Sequence, residues 1–187
     1  MKAFYLSILM ALALLPVHAQ RRYNAMRETK KEFFKTEQAR LIGDQILDYQ
    51  RVTGGWPKNI DMAKPMTHEE RQQVLKDKSR RDDSTTDNDA TNMQMTYLAR
   101  LYQATKSKKY REAFCQGVEY LLSGQYDNGG WPQFWPGMRG YQVHITFNDD
   151  AMVNTMEMLR DIYLQKAPYD GKLTDKALRQ KAIKAFN

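Results

Sequence analysis

One cysteine, Cys115, is all the chain contains, so no intramolecular disulfide can form and C-x-x-C metal or redox sites are excluded. Cys115 sits at helical spacing among apolar residues and reads as a buried core thiol. Long hydrophobic runs are also missing. Apart from Ala3–Leu15, itself too short for a comfortable membrane span, no stretch comes close to one. No Ser-His-Asp set, His-x-x-x-His zinc motif or phosphate-cradling Gly-Lys-Ser/Thr loop occurs. Negative charge is in deficit, with 22 Asp and Glu against 29 Lys and Arg, a net +7. That balance suggests an anionic partner: polyanionic polysaccharide, nucleic acid or a membrane surface. Charge alone does not choose among them. Lys30-Lys31, Lys108-Lys109 and Lys76–Arg81 also fit simple solvated surface.

The first residues form a secretory signal pattern. Lys2 supplies the positive start, Ala3–Leu15 the apolar region, and Val17-His18-Ala19 the small residues of a cleavage site before Gln20. Residues 1–19 are thus expected to be a signal peptide and the protein secreted or periplasmic. Residues 20–187 then remain as one domain with a sizeable core.

A phrase that occurs twice organises this domain. Gln50-Arg51-Val52-Thr53-Gly54-Gly55-Trp56-Pro57 returns 75 residues later as Gln125-Tyr126-Asp127-Asn128-Gly129-Gly130-Trp131-Pro132. Each copy is followed by an acidic-amide cluster, Asp87-Asn88-Asp89-Ala90 and then Asn148-Asp149-Asp150-Ala151. Ala90/Ala151, Met95/Met156, Leu98/Leu159 and Tyr102/Tyr163 match at an offset of 61, so the first loop is 14 residues longer than the second. The unit is helix, Gly-Gly-Trp-Pro turn, variable loop, helix. Repeating antiparallel helix pairs of this kind predict an all-α fold, an incomplete α/α toroid or solenoid.

Apolar spacing predicts helices over about 25–50, 90–105, 110–124, 150–165 and from Thr174 onward. Thr67-His68-Glu69-Glu70 is a capping pattern that should start a short helix, and 76–87 reads as a solvent-facing loop. The last helix carries no terminating Gly or Pro, so the chain is expected to be the N-terminal part of a longer protein.

Several residues are candidates for chemistry. Trp56 and Trp131 read first as buried corner residues, whereas Trp135 is freer to face a ligand. Asp87-Asn88 and Asn148-Asp149 fit helix N-caps, but capping does not require adjacent pairs in both copies. If the two matching ends meet in space, they create a cluster of oxygens suited to a hard cation such as calcium. Asp89 and Asp150 either join this cluster or support a helix dipole. His144, among apolar neighbours, reads as a hydrogen-bonded structural histidine rather than a general base.

Gly54–Asn59, Ser84–Thr91, Gln125–Phe134 and His144–Met152 together resemble family 10 of the polysaccharide lyases, pectate lyases of α/α-toroid fold. The resemblance runs from about Ile42 to Ile162. It implies calcium-dependent β-elimination of polygalacturonate or pectin, with no nucleic-acid partner and no stable membrane insertion. It places metal-binding carboxylates on Asp87 and Asp149, with Asn88 in the same cluster, and makes all three candidate substrate contacts; Trp135 and His144 are further candidates for substrate binding. The family's base, an arginine downstream of the second acidic motif, falls beyond Asn187. A non-catalytic module for acidic polysaccharide and another α/α-toroid enzyme stand as alternatives.

Overall fold

The computed structural model describes residues 24–137, 139–145 and 147–187, with Asp149 described in its backbone alone. The expected signal peptide, residues 1–19, lies outside the described residues. Within them the fold is all-α: α1 (Glu37–Tyr49), α2 (His68–Asp77), α3 (Asn92–Thr105), α4 (Lys108–Ser123), α5 (Ala151–Tyr163) and α6 (Lys176–Phe186). Among the described residues β-pairing is limited to two isolated antiparallel bridges, Thr85 to Phe134 and Pro132 to Ile145.

The helices follow from local chemistry. The Thr36 hydroxyl accepts from Ala39 N at 3.2 Å and starts α1, whose Ala39, Ile42, Gly43 and Ile46 form one buried stripe. Thr67 and Glu70 close the expected capping box on α2, a helix with no buried residue, held to α1 by Arg71 and Asp48 at 2.7 Å. α3 is the central helix: eight of its fourteen residues are buried, including Met95, Leu98 and Leu101. Lys106 leaves it in a left-handed conformation, φ 56°, and the chain turns back directly into α4. Gly43 lets α1 approach closely, because a Cβ there would meet Leu101 Cδ2 at 2.2 Å.

The expected helix over 25–50 is shorter at its start. Residues 25–36 are two short 3-10 turns, Ala25–Arg27 and Phe33–Lys35, before α1 begins. The charged run between them offers no apolar stripe, and Arg100 Nη1 holds it in place through Glu28 O at 2.7 Å. The loop expected to face solvent is likewise corrected. Ser84, Thr85 and Thr86 are all buried, and Arg51, itself buried, forks onto the Asp83 carboxylate at 2.8–3.2 Å.

Both Gly-Gly-Trp-Pro corners are built from the same bonds. Trp56 Nε1 donates to Ile46 O at 2.8 Å, and Trp131 Nε1 to Leu121 O at 2.7 Å. Gln50 Nε2 donates to Gly54 O and to Ala113 O in α4; Gln125 Nε2 donates to Gly129 O and to Ala185 O in α6. Each corner therefore stitches one helix to the equivalent helix of the next unit, which is how a helical repeat propagates. Gly54 and Gly129 have φ of 92° and 88°, a region that favours glycine.

Candidate functional site

The residues between the first corner and α3 fold into a tight turn with Asp87 at its centre. Thr85 N donates to Trp56 O at 3.2 Å, and Thr85 Oγ1 donates to Gln133 O at 2.6 Å, so both corners anchor the turn. Asp87 N donates to Thr85 Oγ1 at 3.0 Å. Asn88 then turns left-handed, φ 52°, and is exposed; its Nδ2 donates to Asn59 Oδ1 at 3.0 Å, which leaves the amide oxygen for another partner.

Neither Asp87, Asn88 nor Asp89 caps α3. Thr91 occupies the capping position and makes no side-chain cap bond. Asp150 precedes α5 in a left-handed conformation and caps nothing with its side chain. Asp89 instead cross-ties the structure, accepting from Arg27 Nη2 at 2.5 Å and from Asn154 Nδ2 of α5 at 3.3 Å. The capping explanation therefore fails for the first cluster.

Asp87 is 2% exposed and its Oδ2 is ion-paired with Lys58 Nζ. Burial pushes its carboxyl up, but the Lys58 ion pair and the nearby Gln133 amide outweigh burial and hold it below the ordinary value. Asp87 is thus a carboxylate at neutral pH. Its Oδ1 is buried without a hydrogen-bond partner. A buried, unsatisfied carboxylate oxygen is costly, and points to something else that the turn holds.

The equivalent turn, Asn148–Asp150, packs directly against Asp87–Asp89. The matching ends of the two units do meet. The Asp149 side chain lies outside the described residues. Beside Asp87 the surface opens into a cavity of about 450 Å³ lined by Pro57, Lys58, Asn59, Asn88 and Gln94. Gln94 is buried with its Oε1 unpartnered.

Of the remaining expected site residues, His144 is on the exposed loop beside the Ile145–Pro132 bridge, its N–H donating to Tyr141 O at 3.1 Å. Trp135 is not the ligand-facing tryptophan. It is 3% exposed, its ring stacks on Tyr120 at 4.3 Å and 9°, and its Nε1 donates to Tyr120 O at 2.9 Å. Gly124 makes room for it, since a Cβ there would meet the indole at 2.2 Å. Trp56 and Trp131 are the buried corner residues expected.

Sequence reasoning did not single out Lys58 or Gln133. The signal was present: they stand 75 residues apart, the first residue after each Gly-Gly-Trp-Pro, and both converge on Asp87. Lys58 Nζ also lies 5.3 Å from the Phe134 ring centroid, a cation–π contact that fixes its position.

The donor set bears on calcium. The orphan Oδ1 of Asp87 is the hard oxygen ligand that such an ion takes. Among the described residues, no group of three His, Cys, Asp or Glu lies close enough to hold an ion alone. The turn therefore fits an ion shared with further oxygens, from Asp149 or from a ligand, rather than a closed protein cage.

The family model for pectic acid lyase matches residues 50–187. Among the solved structures that resemble the chain are two from one organism. One is a family 10 polysaccharide lyase from Cellvibrio cellulosa, 30% identical with a TM-score of 0.70. The other is an aspartate-to-alanine mutant of family 10 polysaccharide lyase from Cellvibrio cellulosa in complex with trigalacturonic acid, 29% identical with the same TM-score. Each similarity covers 83% of this chain but 46% of the solved one, so the chain spans about half the length of these relatives. No curated protein matches.

Proposed function

This chain belongs to the pectic acid lyase family, and we propose that it is part of a calcium-dependent pectate lyase that cleaves polygalacturonate by β-elimination. The observation that carries this reading is the meeting of two acidic turns at a buried carboxylate, Asp87, whose Oδ1 has no partner.

In this reading Asp87 and Asp149 hold the cation. Asn88, Asn59 and Lys58 line the cavity where a uronide sits, and the Lys58 ammonium attracts its carboxylate. Calcium, when bound, supplies charge withdrawal from the C6 carboxylate, which acidifies the C5 proton. Elimination then removes that proton, breaks the bond from C4 to the glycosidic oxygen and leaves a C4–C5 double bond. Asp87 remains ionised throughout, as its partners dictate, so it serves as a charge and not as an acid. The base is assigned to no residue of this chain. Hydrolysis by a carboxylate pair needs a protonated acid, and Asp87 is held in the opposite state. Residues 1–19 direct export, and the protein works outside the cytoplasm on a polyanion that its net positive charge attracts.

Calorimetry with trigalacturonate tests the reading. Binding is expected to be stronger with calcium than with chelator and to be lost in Asp87→Ala and in Asp149→Ala. Equal binding in chelator, unaffected by either substitution, would remove both carboxylates from the site.

A further inference from the structure

Thr91 is fully buried and has φ 63° and ψ −55°, a costly conformation for a β-branched residue. It is not alone. Asn88 and Asp89 have φ of 52° and 60°, so three non-glycine residues within four positions adopt positive φ. Such conformations persist only where the surroundings over-determine them.

The Thr91 hydroxyl provides that constraint. Its Oγ1 accepts from Trp56 N at 3.0 Å and donates to Thr85 O at 2.8 Å. One hydroxyl thus joins the end of the acidic turn to its beginning and to the Gly-Gly-Trp-Pro corner. Asp87 and Asn88 lie inside the loop it closes. The second unit lacks this device: at the offset of 61, Met152 replaces Thr91 and lies within α5.

We propose that Thr91 is the positioning residue of the first acidic turn, its hydroxyl fixing Asp87 and Asn88 in place before a ligand arrives. The proposal rests on the reading of those two residues as ligand-facing. Thr91→Val keeps the shape of the side chain and removes both bonds, whereas Thr91→Ser keeps both bonds.

The test measures amide hydrogen exchange over 84–92 and at Trp56, together with trigalacturonate binding by calorimetry in calcium. In Thr91→Val, exchange is expected to rise at the turn and at Trp56 while the amides of α4 keep their protection. Binding should weaken by about tenfold, the loss expected from roughly one net hydrogen bond. Thr91→Ser should restore both readouts. Unchanged exchange and binding in Thr91→Val would overturn the proposal, as would a serine variant as impaired as the valine one. If the valine variant does not fold, Thr91→Ala against Thr91→Ser makes the same comparison, since alanine removes the hydroxyl without adding bulk. If the wild-type protein binds no trigalacturonate, the functional reading fails, while the exchange contrast still decides the role of Thr91.

Discussion

The two Gly-Gly-Trp-Pro corners share one hydrogen-bond skeleton and differ in what covers them. At Gly54 a Cβ would meet Gln116 O of α4 at 2.4 Å; at Gly129 it would meet no described atom within 4 Å. The difference extends along the helices that follow. Met95 and Tyr102 are buried in α3, whereas their counterparts Met156 and Tyr163 are partly buried and 37% exposed. The four-residue phrase thus dictates the corner's internal bonds, and the neighbouring unit dictates its burial. The first acidic turn carries a buried carboxylate, Asp87, whereas Asn148 and Asp150 of the second are exposed.

The largest effects should come from breaking what the corners share. Trp56→Ala and Trp131→Ala each empty a buried site and should cost about 3–5 kcal/mol in chemical denaturation. Losses of the same size at both positions support equivalence. A much smaller loss at Trp131 would show that the second corner contributes little to the fold.

The glycines sharpen the contrast in cover. Gly54→Ala and Gly129→Ala both place a side chain at positive φ, at a cost of roughly 1–2 kcal/mol. Only Gly54→Ala also drives a methyl into a backbone carbonyl, adding about 1–3 kcal/mol of overpacking. Equal midpoints for the two variants would mean that Gly129 is covered in solution.

Much of this was legible in the sequence because it is local or repeated. The capping box at Thr67 and Glu70, the corner tryptophans and the repetition of the acidic turns all follow from spacing, while the meeting of those turns is known from the fold. Asp87 and Asn88 stood out as candidates because capping did not need two adjacent residues in two copies. What was missed depends on contacts distant in sequence. The polar segment 28–32 is tied down by Arg100, 72 residues beyond Glu28, and Trp135 is buried because Tyr120 of α4 offers its ring. Lys58 carried no separate signal of its own, and the fold places it on Asp87.

Lys58→Gln makes the first unit resemble the second, where Gln133 holds the equivalent position. Lys58 is 31% exposed, so solvent screening reduces the strength of its pair with buried Asp87. A loss of about 1 kcal/mol is expected by urea denaturation at neutral pH. No loss would show that the Lys58 pair contributes nothing to stability.

The smallest expected effect is the pH dependence that Asp87 contributes. Its folded value lies below the ordinary 3.8, so the folded state favours the ionised form more than the unfolded chain does. The stabilisation is fully present above about pH 5, where both states are ionised. It is lost as pH falls through the folded value, because protonation must then break the Lys58 pair. The effect is small because burial, the largest single influence on the carboxyl, opposes its partners. Asp87→Asn cannot ionise and should lose less stability than the wild type between pH 6 and pH 3, measured as the shift in urea midpoint. The Gln133 end of the site makes a further distinction. If Lys58 supplies most of the depression, Lys58→Gln should flatten the acid limb nearly as much as Asp87→Asn does, while Gln133→Leu should flatten it less. Identical acid limbs for the wild type and Asp87→Asn would show that the carboxylate gains nothing from its partners on folding.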